Sequence, residues 1–275
     1  MKYFSLRPSP SALRPSPFFR RGVTLIELLI VIMIIGLLTT AALKAYDTSL
    51  QAGRYQNTMR TLNEITYAIV GNPDLVSNGI RIDYGYVGDM GRLPDKLQDL
   101  VTVPSGVDPA MWHGPYLIQR VAESPNAYLI DAWGDSLIYN KDSLTISSQR
   151  GMSILQPDSW ITRKMARSAA DLFENRLLGV VYDSKGNATS GSDSVWIFLE
   201  YAAPAGHMQT DSQPYGNANN FTIGGQIPVG NHPFRARLTF LDSPAETIVV
   251  RKTASIAPGA GDRNWLEVHM PVPFR

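Results

Sequence analysis

Between Val23 and Leu43 the chain runs VTLIELLIVIMIIGLLTTAAL, twenty-one residues in which Glu27 is the only charge. As a helix rising about 1.5 Å per residue, this segment reaches roughly 30 Å, the thickness of a bilayer's hydrocarbon core. Arg20-Arg21-Gly22 precedes it and Lys44 follows. Residues 1–22 carry five bases and no acid, which leaves 20 bases against 24 acids in the remainder. A basic flank keeps its side of a membrane cytoplasmic, so everything after Lys44 is expected to be exported.

The order of residues separates three readings of the segment. A cleaved secretory signal has a shorter apolar core ending in a small-residue A-x-A site, and Thr39-Thr40-Ala41-Ala42 imitates that poorly. An ordinary signal anchor has no use for Glu27, because a carboxylate in the apolar span costs on the order of 2.5–3.5 kcal/mol on insertion scales. A third reading has to give the glutamate a partner.

Arg21-Gly22-Val23-Thr24-Leu25-Ile26-Glu27-Leu28 resembles the class III signal of type IV pilins and type II secretion pseudopilins. That signal has a basic residue and glycine, a cleavage point, and then a mature chain with glutamate fifth in an apolar helix. Counted from Val23, Glu27 is fifth. The resemblance implies that a prepilin peptidase cuts between Gly22 and Val23 and methylates the new amine of Val23. It also implies that Glu27 neutralises the N-terminal amine of a neighbouring subunit during assembly. A carboxylate paired with an ammonium is tolerated in lipid where an isolated one is not. Val23 stands where the family usually has phenylalanine.

The leader is longer than those common in that family. It contains a repeat, Leu6-Arg7-Pro8-Ser9-Pro10 and Leu13-Arg14-Pro15-Ser16-Pro17, whose prolines oppose helix formation. Two readings stay open: a solvated extended cytoplasmic tail, or translation that begins inside this stretch. Beyond the apolar run, Tyr55, Met59, Leu62, Thr66 and Ile69 recur at spacings of three and four, with Arg54, Asn57, Arg60 and Glu64 between them. Gly71-Asn72-Pro73 supplies a stop. The expectation is one helix from Val23 to about Val70, its second half amphipathic.

Next come Gly91-Arg92-Leu93-Pro94-Asp95, Leu97 and Leu100, then Gly114-Pro115-Tyr116-Leu117, then Asp131-Ala132-Trp133-Gly134 and Ile138-Tyr139. Their order and approximate spacing are similar to those of major pseudopilins of type II secretion, over about residues 20–150. Pro94, Gly114, Pro115, Tyr116, Asp131, Trp133 and Gly134 read as structural residues. Asp131 is placed to accept from backbone N–H groups ahead of it, Trp133 is a large apolar anchor, and Gly134 suits a tight turn. The same resemblance implies a calcium site in an acidic loop after the sheet, but Ile146 to Ser153 offers Arg150 and no acid there. Calcium takes several hard oxygen ligands, so the site is not carried over and no cofactor is expected. Either the appended C-terminal domain stabilises the head instead, or ligands come from elsewhere, such as Asp142 or Asp158. The chain has no cysteine, which excludes the disulfide that staples many type IV pilin heads, along with thiolate metal sites and cysteine nucleophiles.

After Pro157 the pattern changes. Asp158-Ser159 is expected to cap a helix running toward Leu172, with Ile161, Met165, Ala169, Leu172 and Phe173 on one face. Strand signals follow at residues 178–182, 195–201, 221–227, 234–240, 247–252 and 265–270, with turns such as Asp183-Ser184-Lys185-Gly186 and Pro228-Val229-Gly230-Asn231. Five or six short strands in about a hundred residues indicate a β-sandwich. The run from Gly179 to Gly186, then Phe221, then Ile227-Pro228-Val229-Gly230 before residues 235–238, resembles transthyretin-like or carboxypeptidase-regulatory-like sandwiches.

The fold class expected is therefore α+β: a long N-terminal transmembrane helix packed on a small antiparallel sheet, as in pilins, plus a C-terminal all-β sandwich. The divisions are a leader at 1–22, a pilin-like domain at 23–150, a connector with a helix at 151–178, and the sandwich at 179–275. Within the pilin-like domain, residues 23–43 span the membrane, 44–70 form the amphipathic helix and 71–150 the head.

Enzymatic readings fare worse. Gly134-Asp135-Ser136-Leu137 spells the GDSL string of a serine esterase class, but it leads into a strand, and Asp262 has no histidine three residues on. His113, His207, His232 and His269 form no metal-spaced pair. Gly224-Gly225 lacks the strand, helix and lysine of a phosphate loop. Trp196, Phe198, Tyr201 and Tyr215 fit a strand core better than a sugar platform.

The function expected is that of a non-catalytic pseudopilin-like structural subunit of a type II secretion pseudopilus. By resemblance its partners are a prepilin peptidase, other pseudopilin or pilin subunits in a helical homo- or heteropolymer, and an inner-membrane assembly platform, with no nucleic acid. It would sit in a bacterial inner membrane as a single pass, its C-terminal part periplasmic, before entering a fibre. The alternatives are a minor type IV pilin and a membrane-anchored periplasmic binding module.

Overall fold

The computed structural model describes residues 23–117, 126–150, 159–188, 193–215, 220–259 and 264–274. The chain divides into two compact units, one up to Ala52 and one from Gly53 to Arg275. In the first unit the described residues are the N-terminal part of helix α1 (Leu25–Val70) and the two residues before it. Its side chains are exposed throughout, including Leu25, Ile26, Leu28 and the isoleucines through Ile35. This stretch is long and apolar enough to cross a membrane.

The second unit begins where α1 becomes amphipathic. Thr58, Leu62, Ile65, Thr66, Ala68, Ile69 and Val70 are buried there, at helical spacing on one face. The helix ends at Gly71, whose φ of 78° is open to glycine at little steric cost, and the Gly71 N–H returns to the Tyr67 carbonyl at 2.7 Å. A small hairpin follows, β1 (Val76–Ser77) with β2 (Ile80–Arg81), and then a short helix α2 (Gly85–Met90).

The head sheet is antiparallel, in the order β3 (Ile138–Asn140), β4 (Thr145–Ser148), β5 (Ile161–Lys164). Leu62, Ile65 and Ile69 of α1 share one apolar core with Tyr86, Met90, Leu100, Ile146 and Ile161. Burying each of these large side chains contributes about 1.5–3 kcal/mol, so this face of α1 is held by packing rather than by intrinsic helix propensity.

The helix expected from Ser159 onward is not formed at residues 161–164. Residues 161–164 form strand β5, with Ile146 opposite Arg163 and Ser148 opposite Ile161, and the helical part shrinks to α3 (Ala169–Phe173). Pairing with β4 outweighs a three-to-four spacing of apolar residues that was fortuitous. Ser168 caps α3 instead, accepting from the Asp171 N–H at 3.2 Å. Asp158 and Pro157 lie outside the described residues.

The C-terminal part consists of two facing sheets. One has the order β11 (Thr247–Ile256), β10 (Gly230–Thr239), β7 (Ser194–Ala202), β8 (Met208–Tyr215), all antiparallel. The other has β12 (Trp265–His269), β6 (Asn175–Tyr182), β9 (Phe221–Ile227), in which β12 runs parallel to β6. Leu177, Val181 and Ile223 meet Ile197, Leu199 and Leu238 between them, and Phe221 stacks on Phe234 at 5.6 Å. The overall class is α+β, a long helix with mainly antiparallel sheets.

Head and sandwich belong to the same compact unit. Val229 and Ala202, both in sandwich strands or their turns, are buried in the core of the head. The Val229 N–H donates to the Leu172 carbonyl at 2.8 Å, and Gly230 lies against the Gly88 carbonyl. Gly91, at φ 63°, caps α2 so close to Ala202 that a methyl group there would overlap its carbonyl.

Candidate functional site

The N-terminal site is built on the first turn of α1. The Thr24 side-chain oxygen accepts from the Glu27 N–H at 3.3 Å, and the Thr24 carbonyl accepts from the Leu28 N–H at 3.1 Å. Thr24 thus caps the helix through its hydroxyl, and Glu27 occupies the third helical position. A carboxylate there also faces the positive end of the helix dipole. This local role was readable from Thr24-Leu25-Ile26-Glu27 but is easily overlooked beside the oddity of a charge in an apolar run. Val23 is exposed two residues before the helix, and Gly22 lies outside the described residues.

The head motifs occupy a second set of positions. Asp131 is 5 % exposed, and its Oδ1 accepts from the Trp133 and Asp135 N–H groups at 2.9 and 3.0 Å. Its Oδ2 accepts from the Ser148 hydroxyl at 2.6 Å, which ties the turn to β4. Gly134 completes the turn at φ 96°, and Trp133 packs against the head core with the Arg150 guanidinium over its ring at 6.0 Å. The Ala132 N–H reaches the Thr58 hydroxyl of α1 at 3.1 Å. Arg150 also lies over Tyr55 at 5.7 Å, so the position where the resemblance led to acids holds a cation clasped by two rings.

Gly114-Pro115 is a cis peptide, and the Gly114 α-carbon sits against the Trp112 ring. Tyr116 packs edge-on against Tyr86 and Trp112 at 5.6 and 5.7 Å, and its hydroxyl donates to Asp89 Oδ2 at 2.6 Å. Burial, reinforced by that carboxylate, pushes its phenol pKa up and keeps it a donor. The Pro94 carbonyl accepts from the Tyr139 hydroxyl at 3.0 Å. Burial raises the Tyr139 phenol pKa too. Close by, the hydrogen bond from Lys141 at 2.6 Å holds the Asp95 carboxyl below its usual range. These groups knit the head together around α1.

The remaining chemistry-bearing residues are dispersed. Ser136 is exposed and bridges Ile130, while Asp262 lies outside the described residues. His113 faces Asp89 at 3.3 Å, His207 is exposed, His269 stacks on Tyr182, and His232 is buried with Nε2 at 2.8 Å from the Pro228 carbonyl. Burial pushes the His232 pKa down. Asp142 is exposed, and among the described residues no three His, Asp or Glu side chains gather as a metal set. Tyr201 and Tyr215 face the sandwich core, whereas Trp196 and Phe198 are half-buried on the opposite face of β7.

Residues 19–43 match the family described as the prokaryotic N-terminal methylation motif. No curated protein and no solved structure matches the chain. The motif and the apolar helix behind it give the chain a type IV pilin-like or pseudopilin-like signal. Such a signal implies processing by a prepilin peptidase and assembly with other pilin-like subunits, and the exposed apolar helix accords with membrane anchoring.

Proposed function

We propose that the chain is a non-catalytic structural subunit of a type II secretion pseudopilus. It is cleaved between Gly22 and Val23, methylated on Val23, and held in the inner membrane by residues 23–43 with its head and sandwich in the periplasm. Extraction into a fibre bundles the apolar helices, so their side chains leave lipid without entering water. Glu27 sets axial register by pairing with the amine of an adjacent Val23 in that low-dielectric core. The observation that carries this reading is a lone glutamate on the first turn of the exposed apolar part of α1, within the residues that match the methylation motif. The choice of secretion over a type IV pilus rests on the Gly114-Pro115-Tyr116-Leu117 and Asp131-Ala132-Trp133-Gly134 resemblances.

N-terminal sequencing and mass analysis of the protein from its native membrane test the processing, and shearing tests assembly. A chain that begins with N-methylated Val23, and enters sheared fibres only when Glu27 is intact, supports the proposal. Because Glu27 also belongs to a helix cap, Glu27→Gln is the informative variant: it keeps the residue at N3 and removes only the charge. A chain that begins near Met1 and stays monomeric overturns the proposal in favour of an anchored binding module. Fibres displayed outside the cell, with secretion intact in a deletion strain, point to a type IV pilin.

A further inference from the structure

A cavity of about 450 Å³ opens beside the end of α1, bounded by β5 and the segment after it, by α3 and by the Pro258-Gly259 turn of the sandwich. Its size lies within the ordinary range for small-ligand sites. Arg81, Arg163, Lys164 and Arg167 line it, against the single carboxylate of Asp171. Among the described residues none of the four cations forms an ion pair. Four like charges around one concavity repel each other and raise the local concentration of anions.

One of these side chains is already set in place. Arg81 donates through Nε to the Asp83 carbonyl at 2.7 Å and through a terminal nitrogen to the Val70 carbonyl, and its guanidinium lies 4.7 Å from the centre of the Tyr84 ring. Burial opposes its charge and lowers its pKa, a cost that a bound anion would offset. Arg163 is half-buried, and its Nε is enclosed with no hydrogen-bond partner. The Nε groups of Arg92, Arg150 and Arg235 share that state, so what sets Arg163 apart is its place among four cations around one cavity. Tyr67, Met165 and Leu172 provide apolar wall between the charges.

We infer that this cavity binds a phosphoryl group, as free phosphate or a phosphate ester. Three guanidinium groups and one ammonium, set against Asp171 in the lining and Asp83 acting on Arg81, leave an excess that a monovalent carboxylate only partly neutralises. A phosphomonoester carries close to two negative charges at neutral pH and accepts the forked N–H pairs that arginine offers. Lys164 and Arg167, both exposed, draw the anion in, and Arg163 and Arg81 hold it.

The test uses the full chain in non-ionic detergent, with inorganic phosphate as probe, read by calorimetry and by phosphorus NMR line broadening. Saturable binding at millimolar or lower concentration is expected, falling tenfold or more in Lys164→Gln/Arg167→Gln and in Arg163→Gln. Arg251→Gln, which alters an exposed sandwich arginine outside the cavity, should leave it unchanged. The Lys164 and Arg167 changes are at exposed positions, so they keep the test valid if Arg163→Gln fails to fold. Cavity-dependent displacement of phosphate by glycerol phosphate identifies a soluble ester as ligand. Displacement only by phosphatidylglycerol doped into the micelles identifies a lipid headgroup. Lack of saturable binding up to about 10 mM, or binding indifferent to the cavity variants, overturns the inference.

Discussion

The Tyr84 hydroxyl meets the Ser255 hydroxyl at 2.6 Å, across 171 positions of sequence. Tyr84 opens α2 in the head and Ser255 lies in β11, so the contact ties the two parts of the second unit. The Ser255 hydroxyl also approaches the Arg81 carbonyl at 3.4 Å, and the Asn231 amide donates to the Ile82 carbonyl at 3.3 Å. Around these bonds Gly88, Gly91 and Gly230 let backbone approach backbone. Removing the tyrosine hydroxyl in Tyr84→Phe is expected to cost about 1 kcal/mol. Gly91→Ala, which adds a clash to a left-handed backbone angle, is expected to cost about 2 kcal/mol or more. Urea unfolding of the full chain in detergent checks both, and head and sandwich should melt in one transition. Two well-separated transitions in the native protein would mean that the seam is energetically idle.

Asp131→Ala strips an acceptor from two backbone N–H groups and one hydroxyl in a nearly buried turn. Charge-assisted bonds of this kind are individually worth about 1.5–3 kcal/mol, so the variant should lose roughly 3 kcal/mol. Ser148→Ala removes only one bond and should lose about 1 kcal/mol. Equal losses in the two variants would show that the backbone bonds contribute little.

Asp183 responds to acid. Burial of its carboxyl opposes ionisation, but donations from the Asn187 backbone and side chain, the Phe274 N–H and the Lys185 N–H prevail and bring its pKa down from 3.8 to about 2. Its folded value lies below its unfolded one, so the charged form favours the fold. That contribution is complete above about pH 4 and is lost as pH falls toward 2. The stability difference between the native protein and Asp183→Asn should therefore be flat near neutrality and shrink between pH 4 and 2. A difference that is constant across that window would contradict the assignment.

Leu62 is wholly buried on the face of α1 that meets the head core. Leu62→Ala leaves a cavity there and should cost about 2–5 kcal/mol, whereas Leu38→Ala, in the exposed apolar half, should leave the stability of the second unit unchanged. Denaturant midpoints of the two variants make the comparison.

What could be read from the sequence depended on how local each cause was. The stop at Gly71 and strands β6, β7 and β9 to β12 follow from periodicity and turn chemistry that neighbouring residues carry themselves. β8 (MQTDSQPY) escaped because it is a polar edge strand: only Tyr215 at its end is buried, and Pro214 is permissible where one side of the strand has no partner. β5 takes its identity from pairing with β4, which its own residues do not signal. Around Asp131 the forward bonds to Trp133 and Asp135 are local and legible, while the bond from Ser148 needs the folded sheet. Arg81 closing the end of α1 at Val70, eleven residues away, left no local trace.

Among the described residues the seam between α2 and the sandwich is tied by hydrogen bonds and by a shared core. With Val229 and Ala202 sunk into the same core as Leu62, Ile65 and Ile69, a sideways load on the sandwich becomes torque on the last turns of α1. Whatever grips the outermost strands of this protein therefore holds a handle on the turns of α1 that carry Leu62, Ile65 and Ile69.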